Sequence, residues 1–221
     1  MSLFQNKGGG QPPIDESWMN TYGDMVTLLL CFFILLAAIS KVDTVLFEAV
    51  QSGMTKDIGK LPPQRPIESM KREMMDVVAA YDSQNATDVG TDDRGLVLNL
   101  DGGTLFAPGS AELKPEVMTL LKEMAGTLAN PRFENYRIEV QGHTDSAPFS
   151  TPQFPSNFDL AAARALSTMR ALATFGVPES RLLVTSFGPY APRAPNTLDD
   201  GTPLPANQAL NRRVSIRVYP R

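Results

Sequence analysis

Tyr136-Arg-Ile-Glu-Val-Gln141 is the stretch on which the fold turns: apolar and polar side chains alternate, as a strand with one buried face requires. Downstream, Asn157 to Phe175 carries a helical pattern that Gly176 and Pro178 should stop. Leu182-Leu-Val-Thr-Ser-Phe187 and Arg213-Val-Ser-Ile-Arg-Val218 read as two further strands. Upstream, Pro115 to Ala129 reads as a helix, with Val117, Leu120, Leu121, Met124 and Leu128 apolar. Leu96-Val-Leu-Asn-Leu100 reads as a strand and Thr104-Leu-Phe106 as a short second one. This β-α-β-α-β order over residues 95–221 implies an α+β fold with a mixed sheet and its helices packed on one side. The connection from Gly188 to Leu210 is too long for simple packing and is expected to border a site.

The chain has 221 residues, a net charge of −4 and a pI near 5.1. Such a balance gives no electrostatic footprint for nucleic acid. Mean hydropathy is that of a water-soluble protein, yet one apolar run begins at Trp18-Met-Asn-Thr-Tyr-Gly-Asp24 and continues through Cys31 to Ser40. The chain therefore reads as one membrane span carrying a soluble domain. Its single cysteine, Cys31, lies in the run and says nothing about redox compartment.

Asp24 is the anomaly of that run, because an ionisable group inside a bilayer costs about 2.5–3.5 kcal/mol and marks a functional candidate. A helix beginning at Met25 would make Asp24 an N-cap, accepting from the Thr27 amide, but would span only roughly 24 Å. A helix over residues 18–40 spans roughly 34 Å, enough to cross, and sets Trp18 and Tyr22 near one interface. A cleaved signal peptide is the third reading. Asp15 and Glu16 outweigh the lone Lys7 and argue against it. In helical projection Thr27, Leu28, Cys31, Leu35 and Ala38 fall on the side of Asp24, making a relatively small, weakly polar stripe. Such a stripe suits partner helices or an ion route, and one helix cannot enclose a pore.

Beyond the span, Leu46, Val50, Met54 and Ile58 recur at every fourth position with Phe47 beside them. This amphipathic segment either lies on lipid or pairs with its twin, or it docks as a stopper against a membrane channel. Leu61-Pro-Pro-Gln-Arg-Pro66 makes a stiff spacer. A helix follows, with Ile67, Met70, Met74, Val77, Val78 and Tyr81 on one face and Pro66 just inside its start. The expected organisation is a tail over 1–17, a span over 18–40, a plug and linker over 41–66, a linker helix and lead-in over 67–94, and a domain over 95–221.

Phe106-Ala-Pro-Gly-Ser-Ala-Glu-Leu113, Gly142-His-Thr-Asp145, Asn157-Phe-Asp-Leu-Ala-Ala-Ala-Arg164 and Asn211-Arg-Arg-Val214 resemble, in order and spacing, the OmpA-like peptidoglycan-binding domain. Glu16-Ser-Trp18, Tyr22-Gly-Asp24-Met and Thr27-Leu-Leu-Leu-Cys-Phe-Phe are similar to the membrane segment of MotB-type stator subunits of the bacterial flagellar motor (the MotB/PomB family). The resemblance implies that Asp145 and Arg164 grip the diaminopimelate of a peptidoglycan stem, within a set that includes Thr144 and Asn157. A carboxylate and a guanidinium fork would answer the ammonium and carboxylate of that ligand. The residues alone leave open that Asp145 and Arg164 simply pair with each other. A proline-rich insertion, Pro148 to Pro155, sets this chain apart and could alter access, and Ala161 stands where many members have serine.

The same resemblance implies an ion path of Asp24, Thr27 and Cys31, with a proton or sodium as the transported ion, and a plug carrying Leu46, Phe47, Val50 and Met54. It implies a homodimer with a MotA-like membrane partner, acting indirectly on the flagellar rotor. It also implies an inner-membrane location with the N-terminus cytoplasmic and the domain periplasmic. Positive residues do not favour that orientation, since Lys7 precedes the span and Lys41, Lys56 and Lys60 follow it. A non-conducting wall anchor and a subunit of a non-flagellar motor are the alternatives. His143, the only histidine, has no Cys or His neighbours for a metal site and no nucleophile motif beside it, so neither catalysis nor a resident cofactor is expected.

Overall fold

The structure, a computed structural model, describes residues 17–39, 66–81 and 86–221. The amphipathic segment with Leu46, Phe47, Val50 and Met54 lies outside the described residues. The chain divides into two compact units, residues 1–42 and residues 43–221.

In the first unit, α1 runs from Ser17 to Ile39. Its 23 residues correspond to roughly 34 Å, and Trp18–Ala38 is long and apolar enough to cross a membrane. Asp24 sits two turns inside this helix, so the capping alternative with a start at Met25 is not what forms. None of the apolar window is buried within the chain, which leaves the whole surface of α1 for lipid or other helices.

The second unit contains α2 (Pro66–Tyr81), β1 (Thr87–Asp92), β2 (Gly95–Asp101), the single-turn α3 (Gly102–Leu105) and α4 (Met118–Leu128). It continues with β3 (Tyr136–His143), α5 (Asn157–Thr174), β4 (Leu182–Gly188), α6 (Pro205–Asn211) and β5 (Arg213–Pro220). The strand order is β1-β2-β5-β3-β4, with β3 and β4 parallel and the other pairs antiparallel. Register explains the core. Leu96, Leu98 and Leu100 face Val218, Ile216 and Val214, while Ile138 and Val140 meet Val218 and Ile216 from the other side. Against this apolar face pack Leu121, Met124 and Leu128 of α4 and Ala165 and Leu172 of α5.

Three local expectations change in the fold. Residues 67–94, read from the pattern as linker and lead-in, enter the domain: Ile67, Met70 and Met74 of α2 lie in the same core, and β1 extends the sheet. An ion pair from Arg132 to Glu73 ties α2 to the turn after α4. Thr104–Phe106 is not a strand, because the Asp101 carboxylate accepts from the Thr104 amide at 2.7 Å and winds Gly102–Leu105 into a turn of helix. Phe106 keeps one isolated bridge to Leu113. Finally, β3 is buried on both faces rather than half-buried. It lies between β5 and β4, and its polar face is covered too: Glu139 accepts from Thr185 at 2.7 Å with Arg94 3.9 Å away.

Candidate functional site

The site forms where β3 ends and α5 begins. Gly142 makes the approach possible, because a Cβ there would lie 2.0 Å from the Ala161 carbonyl oxygen. The close crossing sets the end of β3, Thr144 and Asp145, beside the first two turns of α5. Ser156 caps that helix, its hydroxyl accepting from the Asp159 amide at 3.3 Å and donating to the Asp159 carboxylate at 2.6 Å. Thr144 is held by its amide, which donates to Gly188 at 3.0 Å.

A cavity of about 520 Å³ opens here, and Asp145, Arg164, Thr144 and Asn157 all line it. The structure thus brings together the four wall-site residues read from the sequence. Asp145 and Arg164 do not pair with each other. Asp145 accepts from Arg212 Nη1 at 2.6 Å and from the Ala147 amide at 3.2 Å. Arg164, only 7% exposed, donates through Nε to the Ser110 carbonyl at 2.8 Å, and its guanidinium lies 5.1 Å from the Phe106 ring centre. Burial, then the neighbouring Arg212, pulls the Arg164 pKa below its usual range, and Asp101 and Asp145 oppose that shift. The Thr144 hydroxyl is buried without a hydrogen bond among the described residues. Asn157 donates to the Ala147 carbonyl at 2.7 Å and so fixes the start of the proline-rich insertion.

Arg212 and Lys114 are the charged lining residues that sequence reasoning left out of the site. The signal was present in the Asn211-Arg-Arg-Val214 block, but only the chain path shows that Arg212 turns toward Asp145. Its backbone is anchored by Gly102, whose amide donates to the Arg212 carbonyl at 2.8 Å. The long connection after Gly188, expected to border the site, lines none of this cavity and reaches its edge through hydrogen bonds. Asn211, fully buried, accepts from the amides of Arg193 and Ala194 at 2.7 and 3.1 Å and donates to Asn196. Asn196 in turn accepts from the Ser146 amide at 3.3 Å. The insertion supplies Pro148 and Phe149 to the cavity wall, so it does shape access. One carboxylate, two guanidiniums and the Lys114 ammonium around apolar walls can answer a ligand that carries both a carboxylate and an ammonium.

His143 lies apart from this chemistry. It is buried, and its ring stacks on Phe187 with centroids 5.1 Å apart. Among the described residues no group of three or more His, Cys, Asp or Glu is placed to hold a metal ion. In the separate membrane-length unit, the Thr27 hydroxyl donates to the Asp24 backbone carbonyl at 2.9 Å. Trp18 and Tyr22 are neighbours at 6.4 Å, and Cys31 is a free, exposed thiol.

Comparison with known proteins places both units. A model of the OmpA family matches residues 105–203, and one described as membrane MotB of the proton-channel complex MotA/MotB matches residues 5–58. YtxE of Bacillus subtilis is 31% identical over 96% of this chain and 92% of its own length. Motility protein B of Helicobacter pylori (strain J99) is 30% identical, covering 92% of this chain and 86% of the relative. The crystal structure of the periplasmic domain of Helicobacter pylori MotB superposes with a TM-score of 0.54 at 28% identity, covering 63% of this chain and 82% of that one. The membrane-length helix, the OmpA-type sheet and relatives matched over nearly their whole length together make this chain a member of the MotB-like family of motility proteins.

Proposed function

We propose that this chain is the wall-anchored subunit of an ion-driven flagellar motor stator. The observation that carries the reading is the position of Asp24, a carboxylate set within one continuous helix and on its small-residue stripe, not at its end. A carboxyl held there in a bilayer is costly unless it works. In this reading a proton or sodium ion neutralises Asp24 and then leaves it, with Thr27 and Cys31 along the path and a MotA-like subunit completing the channel. Each change of charge alters the contacts of α1 and moves the partner against the rotor. Residues 43–58, with Leu46, Phe47, Val50 and Met54, plug the route until the complex engages.

The OmpA-type domain supplies the fixed point. Asp145, positioned by its ion pair with Arg212, meets the ammonium of diaminopimelate, Arg164 meets the carboxylate, and Thr144 and Asn157 complete the wall site. The protein acts as a homodimer in the inner membrane, single-pass, with the N-terminus cytoplasmic and the domain periplasmic. No reaction is assigned to it.

The test is Asp24→Asn against Asp24→Glu in cells, with membrane insertion and wall attachment checked by fractionation. Asp24→Asn should abolish swimming and ion flux while leaving both intact. Retained motility or ion flux in Asp24→Asn would sink this motor mechanism. Swimming speed against external sodium then separates the two ions. For the wall contact, Arg164→Ala should weaken binding to diaminopimelate-type peptidoglycan, and unchanged binding would remove Arg164 from the site.

A further inference from the structure

Two segments remote in the chain meet at the charged cavity. The insertion brings Pro148 and Phe149 to its lining, and the turn after Phe106 brings Pro108 and Gly109. Between them lies a single contact, one aromatic ring on one glycine. A Cβ built on Gly109 would stand 3.5 Å from two atoms of the Phe149 ring, so the ring packs where a side chain would otherwise project. Gly109 holds φ +69°, which other residues adopt only under strain, and the ring therefore rests on bare backbone.

Each side of this contact is rooted on one of the two residues that face the ligand with opposite charges. The Asp145 carboxylate accepts from the Ala147 amide at 3.2 Å and so sets the chain two residues before Phe149. Arg164 donates through Nε to the Ser110 carbonyl at 2.8 Å and through Nη2 to the Ala107 carbonyl at 3.5 Å. It thereby holds both ends of the turn that carries Gly109, which the Ser110 amide closes onto Ala107 at 3.0 Å. The far end of the insertion is fixed separately. Phe154 is buried, its amide donates to the Thr151 hydroxyl at 3.0 Å, and its carbonyl accepts from the Thr151 amide at 2.9 Å. Pro148 and Phe149 lie between these fixed points, and Phe149 is only half-buried.

We propose that Phe149 and Gly109 form a latch on the cavity, which opens to admit the charged end of the ligand and closes on it once Asp145 and Arg164 have taken hold. The inference rests on the wall-binding reading of that cavity. Chemistry couples grip to closure. An ammonium on Asp145 and a carboxylate on Arg164 draw both side chains onto one ligand, and each side chain carries one root of the latch. The closing contact is dispersive, one ring against a glycine, so it breaks readily at each exchange and still delays it. Entry and release both pass through movement of Phe149, which sets how long the domain holds the wall.

The experiment uses the full chain in detergent and a diaminopimelate-containing tripeptide with a fluorophore at its amino end. Stopped-flow anisotropy follows association and dissociation. Phe149→Ala should raise both rates, association about threefold and dissociation about tenfold, while Phe149→Tyr keeps the wild-type values. Phe149→Leu, which keeps bulk without the ring, should fall between them and guards against misfolding of the alanine variant. Faster dissociation with association unchanged or slower makes Phe149 an ordinary wall contact and overturns the latch. No change in either rate overturns it too, and both results leave the wall-binding reading standing. A wild-type chain that binds no tripeptide removes that reading and the latch with it.

Discussion

Replacing His143 by phenylalanine should flatten the acid limb of the domain's stability. His143 ends β3, is 4% exposed and stacks on Phe187. Burial first, then the Arg213 guanidinium, holds its pKa at about 3 instead of the ordinary 6.5, with Arg217 adding and the Ala191 backbone opposing. The folded state thus keeps a neutral ring while the unfolded chain protonates below about 6.5. Between those values the unfolded state binds more protons, so this contribution is complete above pH 6.5 and is lost as pH falls toward 3. At about 1.4 kcal/mol per pH unit the whole difference is about 5 kcal/mol, and about 2.5 kcal/mol is gone by pH 4.5. Urea midpoints at pH 7.5 and 4.5 measure it, followed by far-UV circular dichroism because the single Trp18 lies in α1 and reports on the other unit. His143→Phe should lose about 2–3 kcal/mol less than the wild type over that interval. His143→Gln, smaller and equally non-titrating, guards against misfit of the larger ring. If both variants lose as much stability as the wild type, burial of a neutral histidine is not what drives the acid limb.

Gly142→Ala must push α5 off β3 and should cost more than about 3 kcal/mol, read as a large fall in Tm; a loss under 1 kcal/mol would deny the close crossing. Met74→Ala should cost about 2–4 kcal/mol in urea unfolding, since Met74 is fully buried in the common core. An effect within 0.5 kcal/mol would return α2 to the role of a separable linker. Arg212→Ala leaves the Asp145 carboxylate without its guanidinium partner and should weaken binding of diaminopimelate-type peptidoglycan tenfold or more, by roughly 2 kcal/mol in a pull-down titration. Equal binding would make Arg212 a spectator.

Much of the site was legible because its members sit in short local blocks. Asp145 and Arg164 were named from the resemblance of the Gly-His-Thr-Asp and Asn-x-x-x-x-x-x-Arg blocks to the OmpA-like domain, and both line the cavity with Thr144 and Asn157. Their mutual pairing was the open alternative, and it does not occur. Each is satisfied by groups remote in sequence, Arg212 for Asp145 and the Ser110 carbonyl for Arg164. The missed β1 reads Thr-Asp-Val-Gly-Thr-Asp, with one apolar residue, so no periodicity marks it. It exists because the Asp92 carboxylate accepts from the Arg94 and Gly95 amides and turns the chain back onto β2.

Periodicity and composition by themselves determined the membrane-length helix and the α+β alternation, since both follow from side-chain spacing along a local backbone. They also singled out Asp24, whose cost depends only on its place in an apolar run. Tertiary structure alone decided that α2 joins the domain core, that Arg212 faces Asp145, and that Phe149 meets Gly109 at one cavity. Those facts depend on which strands pair and how closely Gly142 lets a helix approach, and neither is written in any local pattern.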